Sequence, residues 1–528
     1  MRAPRLASVS ALLVSSMTFT APARAQVTKD DAGTTSTGTK GASDARRDQQ
    51  PDEAKQAEKR PSYTADPDAP IPGDGERAVP DYDGRPDRTT AGDVLIWIPR
   101  ILLSPLYLVS EYVIRRPLGV LVTTAERDNW VEAVTDFFTF GPDDNMGIVP
   151  TGLIDFGFRP SVGVYYFWND AGHQQNKVRA RAAWGGEDWL NLQLTDRVAL
   201  DEDTDISLTG EYLKRPDYVF YGLGPRSRGP DPRYRREMLE AKLGFSGYLT
   251  TRPHHKPRTP SEQPTDSMLQ ATVGVRDVTI GLGDGCCDDP SVQSLVDEGR
   301  LETPPGSRDG YTIAFERLDL DLDSRRRREK LFDDDASDWT QPNGTGVRFS
   351  VRAEHATGLR RPTPTLATTT TDRQAWLKYG ATLGAFWDVT DLQRVLGLQL
   401  IVDLVDPLLD GSEIPFNEQI NLGGDRPMRG FLEGRLIDRS SAVLRFDYTW
   451  PIWVWLDGAV HYAVGNVFGE HLEGFEAGAL RQSAGMGIRA VGSRDHVFEM
   501  LLAFGTEPFD EGAEPESLRF VFGATSGF

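Results

Sequence analysis

The chain has 528 residues, a formal net charge of -21, 39% hydrophobic residues, 52 Gly, 35 Pro and 2 Cys. The acidic balance argues against nucleic acid as a partner, because that surface needs clustered positive charge. Two cysteines cannot build a disulfide framework.

Taken in chain order, residues 1–25 read as a secretory signal peptide. Arg2 and Arg5 precede an apolar run through Phe19, and Ala23-Arg24-Ala25 forms a small-x-small cleavage site before Gln26. Residues 26–92 are polar and Pro/Gly-rich with no apolar period, the composition of a disordered tether. Residues 93–146 read as a helical segment on the periplasmic side. Within it, Val94 to Ile114 is long enough to span a bilayer, but Arg100, Glu111, Pro99 and Pro105 interrupt it. A kinked helix docked at a membrane face or under a protein mouth is the expected form, with a transmembrane helix as the alternative.

From residue 147 to 528 the period changes to two. "AVLRFDYTW" puts Ala442, Leu444, Phe446, Tyr448 and Trp450 on one face, opposite Val443, Arg445, Asp447 and Thr449. Val460, Tyr462 and Val464, then Met486 and Ile488, then Phe498, Met500, Leu502 and Phe504 continue the pattern. One face is apolar and rich in aromatics; the other carries both signs of charge, which suits a wet lumen. Sixteen such segments are expected, from 152–158 to 517–528 and including 205–213 and 233–249. The expectation is therefore an all-β, 16-stranded antiparallel transmembrane barrel with both ends periplasmic, in the bacterial outer membrane.

Five motifs on these segments resemble those of the outer-membrane assembly superfamily, the bacterial surface antigen group containing BamA, TamA and the two-partner secretion transporters. They are "VFYGLGPRSRG" (Val219 to Gly229), "FNEQINLGGDRPMRGF" (Phe416 to Phe431), "AVGNVFG" (Ala463 to Gly469), "GMGIR" with Gly485, Gly487 and Arg489, and the terminal "FVFGATSGF" with Gly523 and Phe528. The resemblance implies that the long sixth outward loop folds back into the lumen. Arg429 would pair with a wall carboxylate, Gly430 and Phe431 would pack the loop tip, and Gly523 and Phe528 would form an insertion signal. The family's usual carboxylate position is Ala463 here. Asp457 is the first substitute by parity, then Glu499 or Asp447. The stretch 93–146 does not have the pattern of a POTRA module, so the resemblance is to members without one.

The functional expectation is outer-membrane protein or lipid assembly or translocation, with a passive channel or structural barrel as the alternative. Outer-membrane lipid, client outer-membrane proteins or periplasmic factors are the expected partners. Neither a cofactor nor an enzyme is implied, because no GxSxG, HExxH, phosphate loop or CxxC is present. Cys286 and Cys287 are adjacent on an outward loop and suit a vicinal disulfide, and a metal site with Asp284, Asp288 and Asp289 is the weaker alternative. The basic run Ser324 to Lys330 suits anionic lipid or a plain solvated turn. His254 and His255 read as surface residues.

Overall fold

The computed structural model describes residues 137–528 except 173–175, 202, 229–230, 250–266, 308–309, 326–343, 360–373, 390–392, 454–455, 491–496 and 527–528, together with isolated positions between 112 and 124. The chain divides into Met1–Pro70 and Ile71–Phe528, and the described residues belong to the second unit. The expected leader and tether, the stretch 94–111, His254, His255, residues 326–330 and Phe528 lie outside the described residues. No helix among the described residues is long and apolar enough to cross a membrane.

Among the described residues, sixteen strands form a closed wall. They are β1 Met146–Asp155, β2 Ser161–Asn169, β3 Asn176–Trp184, β4 Leu190–Ala199, β5 Thr204–Val219 and β6 Arg233–Tyr248. Then come β7 Met268–Gly281, β8 Tyr311–Asp323, β9 Gly346–Gly358, β10 Ala375–Asp388 and β11 Val395–Pro407. The last are β12 Ser440–Trp453, β13 Leu456–Phe468, β14 Arg481–Ala490, β15 Val497–Thr506 and β16 Pro515–Ser526. Each pairs antiparallel with its chain neighbours, and β16 closes on β1.

The alternation sorts side chains to the two faces. Leu444, Phe446, Tyr462, Met486, Leu502 and Phe504 point outward and stay exposed, while Val443, Ala463, Leu501 and Ala503 between them are buried. An apolar outer wall with every backbone group in a closed ladder is the barrel solution to a bilayer. The protein is an outer-membrane β-barrel. Its two longest connections, 282–310 and 408–439, share the rim that such barrels turn to the cell exterior.

Two strands differ from their sequence reading. β1 begins at Met146, six residues before 152, and carries Pro150. The proline is accommodated because β16 pairs only with the far end of β1, leaving Pro150 at an edge. β5 does not stop at 213 but runs to Val219 across Pro216, where the register slips between Arg215 and Tyr218. A bulge absorbs the missing N–H there.

The closing ladder is short. Val521 faces Asp155, Phe522 faces Ile154 and Gly523 faces Leu153, with one further bond from Phe156 N–H to Phe520 O at 2.9 Å. The β14–β15 ladder, by comparison, runs from Ser483 to Arg489 without a break. Gly523 has φ of 133°, and a Cβ there would run into the Gly152 carbonyl oxygen. The last strand therefore bends against β1 at a position that only glycine adopts readily.

Candidate lumen lock and closing seam

The long connection between β11 and β12 turns inward. Its root is a 3-10 turn at Phe416–Glu418, followed by a short ladder of Ile420–Leu422 with Leu436–Asp438. Gly423, at φ 98°, starts the tip, where a Cβ would strike the Leu432 carbonyl oxygen. Within the tip, Phe431 N–H donates to Met428 O at 3.0 Å and Gly424 N–H to Phe431 O at 2.9 Å.

The Arg-Gly-Phe of the tip seats against β14, β15 and β16. Phe431 is fully buried with Met428, Leu422, Leu436, Val443, Val467 and Ala463. Removing such a ring from water stabilises by about 2–3 kcal/mol. Its ring lies over Gly505, where a Cβ would meet the ring at 2.5 Å. Gly430 touches the β15 backbone so closely that a Cβ would overlap the Phe504 carbonyl. Its N–H donates to Ser483 Oγ at 2.8 Å, and the Ser517 hydroxyl donates to its carbonyl at 2.7 Å. Ala463 therefore lies in the apolar seat of Phe431, where a carboxylate would be out of place.

Arg429 forks onto Glu499 of β15, Nη1 to Oε1 at 2.7 Å and Nη2 to Oε2 at 2.5 Å. Burial works against the guanidinium charge, but the Glu499 pair outweighs it and holds the pKa above its ordinary value. The sequence reading placed Asp457 first, and the structure places Glu499 there instead. Arg489 of β14 stands in register between Asp457 and Glu499, so Asp457 lies two strands away from the carboxylate that the fork meets. At about 4.8 Å per strand, that is roughly 10 Å. Asp447 is engaged on the β12 wall by Arg445 at 2.7 Å and Gln399 at 3.0 Å. Gly485 and Gly487 keep β14 thin beside this site. A Cβ on Gly485 would strike the His461 ring, and one on Gly487 the Met500 carbonyl.

Two further anchors were not foreseen from the sequence. At the loop root, Glu418 accepts both Nη1 contacts of Arg276 at 2.9 Å, and the Tyr311 hydroxyl donates to it at 2.6 Å. Lys378 lies 3.7 Å away. Burial alone would push the Glu418 carboxyl up, but Arg276, Lys378 and Tyr311 hold it down at about 2. The loop is thus anchored by a cation to β15 and by an anion to β7, β8 and β10. The second anchor is Arg519 of β16. It forks onto Asp155 of β1 at 2.9 and 2.7 Å, and its Nη1 also donates to the Gly424 carbonyl at 2.6 Å. One buried guanidinium therefore joins the two edges of the closing seam and the loop tip.

The "FYGLG" segment bridges the loop root and the β15–β16 connection. Phe220 packs edge-on against Phe416 with ring centroids 4.8 Å apart. Gly224 N–H donates to Ile437 O at 3.1 Å. Pro225 O accepts from Asn466 and Arg481, and Arg226 reaches Asp510 at 2.8 and 2.5 Å. These motif residues thus hold the loop root and cross the outer rim.

Cys286 and Cys287 are joined as a vicinal disulfide. Asp284 and Asp289, weighed as metal ligands, are paired instead with Arg235 at 2.7 Å and Arg233 at 2.9 Å. Among the described residues, three ligand-type groups converge only at Asp406, Glu470 and His471. Arg439 already sits there, 3.3 Å from Asp406 and 2.9 Å from Glu470, in the place a cation would take. Arg325, from the basic run, pairs with Asp323 at 2.6 Å.

No known protein family and no curated protein matches the sequence. Among solved structures, the fold is similar to BamA from Haemophilus ducreyi lacking POTRA domains 1-3, at 12% identity over 72% of this chain and 70% of that one, with a TM-score of 0.45. It is similar to CdiB from Acinetobacter baumannii at 10% identity, covering 72% and 60%, TM-score 0.41. CdiB from Escherichia coli gives 12% identity, 71% and 62%, and 0.43. The chain spans about six-tenths of each CdiB chain.

Proposed function

We propose that this outer-membrane barrel handles outer-membrane proteins or lipids at its β16–β1 seam, in assembly or translocation, rather than serving as a passive channel. The observation that carries the reading is the contrast between wall and lumen. The lumen holds a loop fixed at Glu499, at Glu418 and at Arg519, with the 220–228 segment across its outer rim. The wall is weakest at the three-pair seam, and its side-chain clasp there is the Arg519–Asp155 fork. A passive pore needs an open lumen and gains nothing from a short seam. A barrel that works on clients at its wall needs an edge that can part, because an unpaired strand edge is a template for another strand or a path for a lipid headgroup.

The test is to staple the seam. Ile154 and Phe522 face each other across it, so the Ile154→Cys/Phe522→Cys pair can be oxidised and reduced. In cells lacking the native chain, the oxidised protein should fail to restore outer-membrane protein or lipid content, and the reduced protein should restore it. Equal restoration by both forms would overturn the seam reading. A large steady conductance in planar bilayers, unchanged by the staple, would favour the passive channel.

A further inference from the structure

Two ionisable side chains, Glu316 and His355, face outward among exposed apolar wall residues. On β8, Leu318 and Leu322 are exposed wall residues, while Ile313 and Phe315 are buried on the lumen side. Glu316 shares the outward face. On β9, Val347, Phe349 and Val351 are exposed and Ala356 is fully buried, so His355 also points outward. Glu316 and His355 stand directly opposite each other in the β8–β9 ladder. His355 Nδ1 lies 3.0 Å from Glu316 Oε1, and His355 Nε2 lies 3.3 Å from Thr357 Oγ1. Ionisable side chains on a lipid-facing wall are costly and mark function more often than chance.

Beside this trio lies an open surface depression of about 470 Å³. Its apolar side is made by Leu208, Leu243, Val273 and Val275, Glu316 and His355 line the other side, and Lys242, also in the lining, has its ammonium paired with Glu240 at 3.0 Å. The register explains its shape. Ala241 faces Val275, Val275 faces Ala314, and Ala314 faces Thr357, a row of short side chains running across four strands. The next outward row on β5 and β6 is Leu208 and Leu243, whose longer side chains form the side of a trough.

We propose that this trough binds a membrane lipid with an ammonium headgroup, the acyl chain lying over Ala241, Val275 and Ala314 and the ammonium meeting Glu316. The wall position makes bilayer lipid the molecule that reaches it. The charge selects the headgroup. Glu316 keeps two-thirds of its side chain exposed, at 68%. Carboxylates in a low-dielectric setting attract an ammonium and repel a lipid phosphate that brings no cation. His355 and Thr357 are placed to hydrogen-bond the polar linkage between headgroup and chain. The trio is not arranged as an acyl-transfer centre. Both flanks of β9 are engaged in ladders along this stretch, so backbone N–H groups are committed to strand pairing and do not form an oxyanion pocket.

The test uses the purified full-length barrel in nanodiscs of phosphatidylethanolamine and phosphatidylglycerol at equal amounts. Detergent extraction follows, with mass spectrometry of the retained lipid. Wild type should retain phosphatidylethanolamine several-fold over phosphatidylglycerol. Glu316→Gln should return the ratio to that of the bulk lipid. Leu243→Trp, which fills the trough without touching the charge, should lower total retained lipid. Heat-modified gel mobility checks that each variant is folded. A wild-type ratio equal to bulk, a preference for phosphatidylglycerol, or folded variants that retain lipid as wild type does would each overturn the proposal.

Discussion

Arg519 on the last strand grips Asp155 on the first through Nε and Nη2, at 2.9 and 2.7 Å, and its Nη1 donates to the Gly424 carbonyl of the lumen loop. Wall closure and loop position therefore share one buried charge. Replacing Arg519 with Ala should loosen both at once. Amide exchange at Leu153–Asp155 and Val521–Gly523 should rise, and the loop tip should become open to protease. Asp155→Asn should raise exchange at the seam while leaving the tip protected, because the Gly424 contact survives. If the two variants behave alike, the coupling through Arg519 is absent.

The Arg429–Glu499 fork should behave as a unit. Arg429→Ala and Glu499→Gln each break a mostly buried pair, a loss of about 3–5 kcal/mol when one partner is left behind. Either should lower the temperature at which the barrel shifts to its unfolded gel mobility. The double variant should cost clearly less than the sum of the two. Additive losses would show that the two side chains act independently.

Glu418 gives a pH signature. Its carboxyl sits at about 2 in the folded protein against an ordinary value of 4.5. A depressed carboxyl contributes stability that is complete above about pH 4.5 and is lost as pH falls toward 2. The difference corresponds to about 3 kcal/mol at the loop root. Protease access to residues 408–420 should rise across that window in wild type. Glu418→Gln should be accessible at neutral pH and should show little further change on acidification.

Gly430→Ala tests the close approach of loop and wall. The added methyl would overlap the Phe504 carbonyl, which belongs to a strand backbone and cannot swing aside. The tip should lift, exposing Phe431 and quickening tip proteolysis, while the wall keeps its strand content by circular dichroism. A Gly430→Ala protein with wild-type proteolysis would show that the tip does not sit where this contact puts it.

How far the sequence reached depends on the range of each interaction. The strands were legible because outward and inward residues alternate at a period that any window shows, as at Leu444 and Phe446 against Val443. Pro150 and Pro216 hid the start of β1 and the end of β5, because an edge and a bulge tolerate proline in ways that local propensity does not reveal. The inward fold of the Arg429 loop came from its motif. Its partner did not, because Asp457, Glu499 and Asp447 share the same parity, and only strand register tells them apart. Arg519 and Asp155 are separated by nearly the whole barrel in sequence, so their meeting follows from closure alone. Glu418 carried one available signal, an acid set between Phe416 and Ile420 in a loop with apolar anchors.

Hydrogen exchange of the wild-type barrel, read strand by strand in a lipid bilayer, tests the central claim most directly. The seam at Leu153–Asp155 and Val521–Gly523 should exchange well before the β14–β15 ladder, while the loop tip around Phe431 stays protected. Protection at the seam equal to that of β14–β15 would contradict it.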